Sequence, residues 1–188
     1  MKSPAYTEEL LSTVLTLLSA VGASLDPNDE IKTIIINKKP LIGEDTDAHV
    51  RRAISTTYYA LFHELAFNCA DCLASEKATD IEDRVWVLTY RAISHGGARV
   101  ACERIANAKE SGSYFGLSDG IVATAALFIE AQAMRENADY NPAKTFTVAE
   151  ARDFLLRTAK TIGAFRRSKP SHKRSLAAML LFKFRSEK

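Results

Sequence analysis

Residues 50–66 read VRRAISTTYYALFHELA, and this stretch decides the fold that we predict for the chain. Apolar side chains recur along it at the spacing of one helix face, namely Tyr58, Phe62, Leu65 or Ala66, and Cys69. Tyrosine also carries a hydroxyl group that needs a hydrogen-bond partner when the ring is buried. We therefore predict a long helix, from about residue 45 to residue 75, that packs one face into a core.

The sequence on both sides of this helix also has helical periodicity. We predict further helices from Ser3-Pro4 to Gly22, from residue 79 to a break at His95-Gly96-Gly97, and from there through Ile105. Others should cover residues 118–138, the stretch from the capping box at 147–150 to Pro170, and residues 172–184. The helix at residue 79 should have an apolar face formed by Ile81, Val85, Leu88 and Ala92.

These segments together predict an all-α, antiparallel up-and-down bundle of four to five core helices plus a basic C-terminal helix. At 188 residues the chain is expected to form one domain, 1–188, with its core at about 45–166. Residues 31–43 contain β-branched side chains but have no second strand to pair with, so they are predicted to be a loop or an edge segment.

Composition is that of a globular protein, because 47% of the residues are hydrophobic and 26% are charged. The longest apolar run near the middle, 121–129, is far shorter than the roughly 20 residues needed to span a bilayer. Two acidic residues, Glu8 and Glu9, stand where a signal peptide would continue with apolar residues, so this stretch does not resemble one. We expect a cytoplasmic protein.

The cysteines and histidines do not form a metal motif. Cys69 and Cys72 make a C-x-x-C inside a predicted helix, and Cys102 stands alone, so we predict free thiols rather than a redox or zinc site. His49 and His63 would be roughly 21 Å apart along one helix. The sequence predicts no metal and no cofactor.

Positive charge is concentrated at the C-terminal end of the chain. The basic residues from position 166 onward are Arg166, Arg167, Lys169, Lys173, Arg174, Lys183, Arg185 and Lys188. With Glu187 they give a net charge of +7, so the rest carries −5 against an overall +2. The first five are predicted to bind RNA; a solvated helix end and a membrane surface are the alternatives. The nearby Leu176, Met179, Leu180 and Phe182 could be a packing face, a dimer arm or an amphipathic membrane contact.

Three motifs occur in a characteristic order. The first is YYALFH at 58–63, preceded by Arg52 and Ser55; the second is HGG at 95–97; the third is MRENADYNP at 134–142. In this order and spacing they resemble the HEPN superfamily of small helical domains, and the third looks like the Arg-x-x-Ala-Asp-Tyr signature of one branch. The resemblance covers roughly residues 45–166.

The resemblance implies a four- or five-helix bundle that is commonly a homodimer. Many members are metal-independent endoribonucleases of toxin–antitoxin or defence systems, often found beside a nucleotidyltransferase-like partner. Their catalytic motif is an arginine separated by four to six residues from a histidine. This chain departs from that pattern, because Tyr140 or Asn141 stands where a histidine should follow Arg135. A tyrosine with a pKa near 10 is a poor base for the 2′-hydroxyl proton, whereas histidine suits that role.

The candidate catalytic residues are Arg135, Asp139 and Tyr140, together with His63. Arg135 would stabilise charge on the phosphate, although its spacing from Asp139 also fits an ion pair within one helix. His63 is either a general base or a core histidine with a hydrogen bond across the bundle. The sequence therefore leaves two functions open: a HEPN-like RNA-associated protein that acts as an endoribonuclease, or a non-catalytic dimeric scaffold that binds a partner such as a nucleotidyltransferase.

Overall fold

The computed structural model describes residues 5–20, 46–74, 80–110 and 116–182. In these residues the chain is an all-α helical bundle without strands, as predicted. Its helices are α1 (Ala5–Ala20), α2 (Thr46–Leu73), α3 (Asp80–Ala92), α4 (His95–Glu110), α5 (Asp119–Tyr140), α6 (Val148–Arg166) and α7 (Pro170–Leu181). None of these helices combines the length and apolar character that a bilayer crossing needs. The predicted Ser3-Pro4 helix start, the 31–43 segment and residues 183–188 lie outside the described ranges.

The described residues belong to two compact units. The first unit takes its residues from 3–61 and 130–160, and the second unit from 62–129 and 161–188. The helices α2, α5 and α6 each contribute one part to each unit.

The apolar face predicted for α2 is buried along its whole length. Its members are Tyr58, Phe62, Leu65, Ala66 and Cys69, and each exposes at most 8% of its surface. The capping box at the start of α6 is also confirmed. The Thr147 backbone N–H donates to Glu150 Oε2 at 2.7 Å, and the Glu150 N–H donates to Thr147 Oγ1 at 3.1 Å.

The predicted break at the histidine-glycine motif is present, but its position differs slightly. The helix α3 ends at Ala92 and α4 begins at His95, so Gly96 and Gly97 lie in the first turn of α4 rather than in the connection. Ser94 explains this position, because its Oγ accepts a hydrogen bond from the Gly97 N–H at 3.1 Å and thereby satisfies one of the free donors of the new helix.

Three of the four residues of the apolar face predicted for α3 do not pack, and the side chain of the fourth, Ile81, lies outside the described ones. Leu88 is 70% exposed and Val85 is 38% exposed, and Ala92 is exposed as well. The side that packs instead contains Trp86, Thr89, Tyr90 and Ile93. The aromatic rings offer more contact area than the aliphatic stripe, and this larger area explains why the helix is turned toward them.

The last helix begins two residues earlier than predicted, because Pro170 starts it. Proline suits the first helical position, because the N–H that it lacks would have no partner within the helix there. In the second unit α7 contacts α4. Leu176, Met179 and Leu180 are buried, which confirms the packing-face alternative for them, whereas Phe182 is 60% exposed.

Candidate functional site

The predicted residues of α5 lie together with two residues of α2 in the first unit. Arg135 Nε is 2.6 Å from Asp139 Oδ2, and its Nη2 donates to the hydroxyl oxygens of Tyr59 at 3.2 Å and Tyr140 at 3.1 Å. Ser55 Oγ donates to Asp139 Oδ1 at 2.8 Å. The structure therefore brings the first and third sequence motifs into one polar cluster.

Helix geometry explains this arrangement. Ser55 and Tyr59 are one turn apart on α2, and Arg135 and Asp139 are one turn apart on α5, so each pair occupies one face of its helix. The two faces meet, and the carboxylate accepts a hydrogen bond from Ser55 of α2 and forms an ion pair with Arg135 of α5. The ion pair predicted within α5 is present, but it is part of a larger network that joins two helices.

Arg51 holds the end of α5 in place. Its Nη1 donates to the backbone oxygens of Asn137 at 3.5 Å, Ala138 at 3.1 Å and Asn141 at 3.2 Å, and its Nη2 donates to the backbone oxygen of Lys144. The last carbonyls of a helix have no partners within the helix and carry its partial negative charge. Arg51 therefore caps α5 and fixes the turn that follows it.

Sequence reasoning did not single out Arg51. A basic side chain often binds the last carbonyls of a helix, but the helices here are distant in sequence. The contacts of Arg51 span 86 to 93 residues, so the sequence offered no local signal for them. The Asn-Pro turn after Tyr140 indicated only that the helix ends there.

Arg135 is a permanent cation in this cluster. Burial by itself lowers the pKa of its guanidinium, but the electrostatic interactions with Tyr59 and Asp139 and the bonds to both tyrosine hydroxyls outweigh that effect. The net pKa therefore lies above its ordinary value. Its Cζ also lies 5.8 Å from the ring centre of Tyr59 and 5.0 Å from that of Tyr140. Arg135 therefore stays protonated and acts as a fixed positive charge and hydrogen-bond donor in the cluster.

An open groove of about 400 Å³ lies over this cluster in the first unit. Its lining consists of Ala48, Arg51, Arg52, Ser55, Tyr59, Ala138, Asp139 and Tyr140. Arg135 is not part of the lining, whereas Arg52 is exposed and Tyr140 is 71% exposed. The groove therefore presents a cation, an aromatic ring and a carboxylate to solvent.

Comparisons with protein-family models, curated proteins and solved structures found no match to this chain. The resemblance to the HEPN superfamily stays a prediction that depends on the three motifs.

The fourth candidate, His63, lies in the second unit. The Tyr90 hydroxyl is 2.5 Å from His63 Nδ1, and the two rings are stacked. Burial, and secondarily the nearby His95, lower the pKa of His63 below its ordinary value. His63 therefore belongs to an aromatic cluster with Tyr90 and is not one of the residues that line the groove.

The predicted RNA-binding residues fall into two groups. Arg166 forms a bidentate ion pair with Glu64, with both N–O distances 2.8 Å, and Lys173 Nζ lies 5.7 Å from the ring centre of Phe165. The others, Arg167, Lys169 and Arg174, are exposed. The exposed group is the part of the predicted basic cluster that a ligand could reach.

The three thiols are free, as predicted. Burial raises the pKa of the Cys69 thiol and raises that of Cys102 to about 12, so both stay protonated near neutral pH. Cys72 is half-buried, and burial raises its pKa as well. Within the described ranges no group of three or more histidine, cysteine or acidic residues is placed to hold a metal ion.

Proposed function

We propose that this chain is a HEPN-like, RNA-associated protein whose groove in the first unit binds the RNA backbone without cutting it. The observation that carries the proposal is that exposed Arg52 and exposed Tyr140 line the same groove. A guanidinium suits the phosphate group, and an aromatic ring suits an unstacked base. Single-stranded nucleic acid is commonly bound by this combination of charge and stacking.

The chemistry of the lining favours binding over cleavage. Attack by the 2′-hydroxyl needs a group with a pKa near neutral to accept its proton. Among the described residues, the groove is lined by arginine, serine, tyrosine, aspartate and alanine side chains. The two carboxylate oxygens of Asp139 already contact Ser55 and Arg135. The lining described here therefore lacks the histidine that HEPN ribonucleases use for this step, which favours binding without cleavage.

RNA binding can be measured by the fluorescence anisotropy of a labelled single-stranded RNA. Arg52→Ala should lower the affinity by about tenfold, because it removes one charge-assisted bond to phosphate. The slope of log affinity against log salt should fall by about 0.7. Arg84→Ala, which removes an exposed arginine of the second unit, is the matched control. Equal affinities for both variants would contradict the proposal.

Cleavage is tested separately by gel analysis of total RNA incubated with the wild type and with Arg135→Ala. We expect intact RNA in both reactions. If the wild type cuts RNA and Arg135→Ala does not, the protein is an endoribonuclease, as the resemblance implies, and the binding-only proposal is wrong.

A protein partner is the second candidate, and the exposure of Tyr140 favours it, because tyrosine is enriched at protein interfaces. The occupant would be a second copy of the chain or a nucleotidyltransferase-type partner. Co-purification with the product of a neighbouring gene, and its loss in Tyr140→Ala, would support this function over RNA binding.

A further inference from the structure

The groove of the first unit contains an aromatic ring whose position is fixed by its neighbour. Tyr140 is 71% exposed, and its hydroxyl oxygen accepts a hydrogen bond from Arg135 Nη2 at 3.1 Å. The guanidinium of Arg135 also lies over the ring, with Cζ 5.0 Å from the ring centre. Because Arg135 covers one face, a flat ligand has the other face on which to stack. The ring is therefore a platform for a nucleic acid base, and it is held in place before the ligand binds.

A carboxylate with unused acceptor sites lines the same groove. Asp139 Oδ1 accepts a hydrogen bond from Ser55 Oγ at 2.8 Å, and Oδ2 lies 2.6 Å from Arg135 Nε. A carboxylate has about four lone-pair sites, so each oxygen can accept a further hydrogen bond. The side chain of Asp139 is 27% exposed, which leaves part of it within reach of a ligand. Ser55 and Arg135 fix the orientation of the carboxylate without saturating it.

Arg135 keeps the carboxylate and the aromatic platform close together. Its Nε contacts Asp139 and its Nη2 contacts the hydroxyl of Tyr140, and both nitrogens belong to the same guanidinium group. The carboxylate therefore lies beside the hydroxyl end of the ring, where the edge of a stacked base would project. Arg52 lines the same groove and is exposed, so it can bind a phosphate of the same strand.

The four RNA bases differ in what their edges offer to a carboxylate. The Watson–Crick edge of guanine carries two adjacent donors, the N1–H and the N2 amino group, which match the two carboxylate oxygens. Adenine and cytosine present an amino group beside a ring nitrogen that is an acceptor, and uracil presents its N–H between two carbonyl oxygens. A carboxylate accepts hydrogen bonds and cannot donate them, so it repels these acceptors. The chemistry of Asp139 therefore favours guanine.

We propose that the groove of the first unit selects single-stranded RNA with an unpaired guanine, which stacks on Tyr140 and donates two hydrogen bonds to Asp139. This inference rests on the proposed RNA-binding function and adds to it the identity of the bound base. In a duplex the same edge of guanine is used for base pairing, so double-stranded RNA should bind more weakly.

Fluorescence anisotropy with labelled oligouridines that carry one guanosine, inosine or adenosine at the centre tests this preference. We expect the wild type to bind the guanosine oligonucleotide about tenfold more tightly than the adenosine one, because a good bidentate contact discriminates by at least that factor. Inosine keeps the N1–H of guanine but lacks the N2 amino group, so its oligonucleotide should bind with an affinity between the other two. All three affinities are measured on the same folded protein.

Asp139→Asn tests whether the carboxylate reads the base. An asparagine amide places a donor where guanine also donates, so the ratio of guanosine to adenosine affinity should fall from about ten to about one. Asp153→Asn is the matched control, because Asp153 is a carboxylate of the first unit that does not line the groove. It should keep the ratio of the wild type. The ratio is compared within one protein sample, so a partial loss of folded protein does not change it.

Equal affinities of the wild type for the guanosine and adenosine oligonucleotides would overturn the inference. A guanine preference that Asp139→Asn retains would overturn it as well. In both cases the proposed function still holds if Arg52→Ala weakens the binding of every oligonucleotide. If the wild type binds none of them, the proposed function fails and this inference fails with it, so the two failures are distinguishable.

Discussion

The chain contains two Arg-Arg pairs, and they can be compared residue by residue. In the first unit Arg51 binds backbone carbonyls at the end of α5, and Arg52 is exposed. In the second unit Arg166 binds Glu64, and Arg167 is exposed. Adjacent residues of a helix point about 100° apart, so the two arginines of a pair leave the helix in different directions. In both pairs the first arginine stabilises the fold and the second faces solvent.

The two structural arginines differ in what they neutralise. Arg166 faces the full charge of Glu64, whose side chain is 9% exposed. Arg51 faces the partial charges of carbonyl groups beside an exposed turn, and its only full-charge contact among the described residues is Asp47, whose side chain is 59% exposed. Removal of one partner leaves a buried carboxylate without compensation in the first case, and carbonyls that water can reach in the second. The loss of stability should therefore be larger at Arg166.

Arg166→Ala should lower the free energy of unfolding by about 3 kcal/mol, at the low end of the range for breaking a buried ion pair, because the guanidinium is 31% exposed. Arg167→Ala should change it by less than about 0.5 kcal/mol. Urea unfolding followed by circular dichroism measures both values. Equal losses of unfolding free energy for the two variants would show that the exposure of an arginine does not determine its contribution to stability.

Arg51→Ala should lower the free energy of unfolding by about 2 kcal/mol, since several charge-assisted bonds to carbonyls are lost but water replaces part of them. Arg51→Lys should recover less than half of the loss, because an ammonium group cannot span the same set of oxygens. Arg52→Ala is the control and should change stability by less than about 0.5 kcal/mol. A loss at Arg52 that matches the loss at Arg51 would contradict the comparison.

Structural features that depend on residues close together in the chain could be predicted from the sequence. The helices, the break before α4, the capping box at Thr147 and the pair Arg135–Asp139 all rest on spacings of a few residues. It did not predict contacts between distant residues, such as Glu64–Arg166 at 102 positions or the carbonyls bound by Arg51. No pattern within one helix specifies which of two adjacent arginines will meet a partner on another helix.

The side of α3 that packs differs from its predicted apolar face for a related reason. Val85, Leu88 and Ala92 have regular helical spacing, and so do Trp86, Tyr90 and Ile93. Periodicity alone does not indicate which of two helix faces will pack. That depends on the surface of α2, where Phe67, Asp71 and His63 provide rings and hydrogen-bonding groups.

Asp139→Asn tests whether the cluster at the groove is more than a local ion pair. The carboxylate is 27% exposed and Arg135 is 20% exposed, so we expect a loss of about 1 kcal/mol. Asp153 forms an ion pair of the same spacing with Arg157 in the first unit, but its side chain is 66% exposed. Asp153→Asn should therefore cost less than about 0.5 kcal/mol. Thermal unfolding measures both losses. Equal losses for the two variants would show that the Asp139–Arg135 pair contributes no more than an ordinary ion pair on a helix surface.

The smallest effect on stability should come from the exposed cations near the C-terminal end, Arg167, Lys169 and Arg174. Their combined replacement by alanine should leave the unfolding temperature nearly unchanged, because surface substitutions away from partners rarely change stability. If all three bind phosphate, the salt slope of RNA affinity should fall by about 2, compared with about 0.7 for Arg52→Ala. An unchanged slope would assign these residues to a solvated helix end. RNA would then contact Arg52 but not Arg167, because Arg167 would face only water.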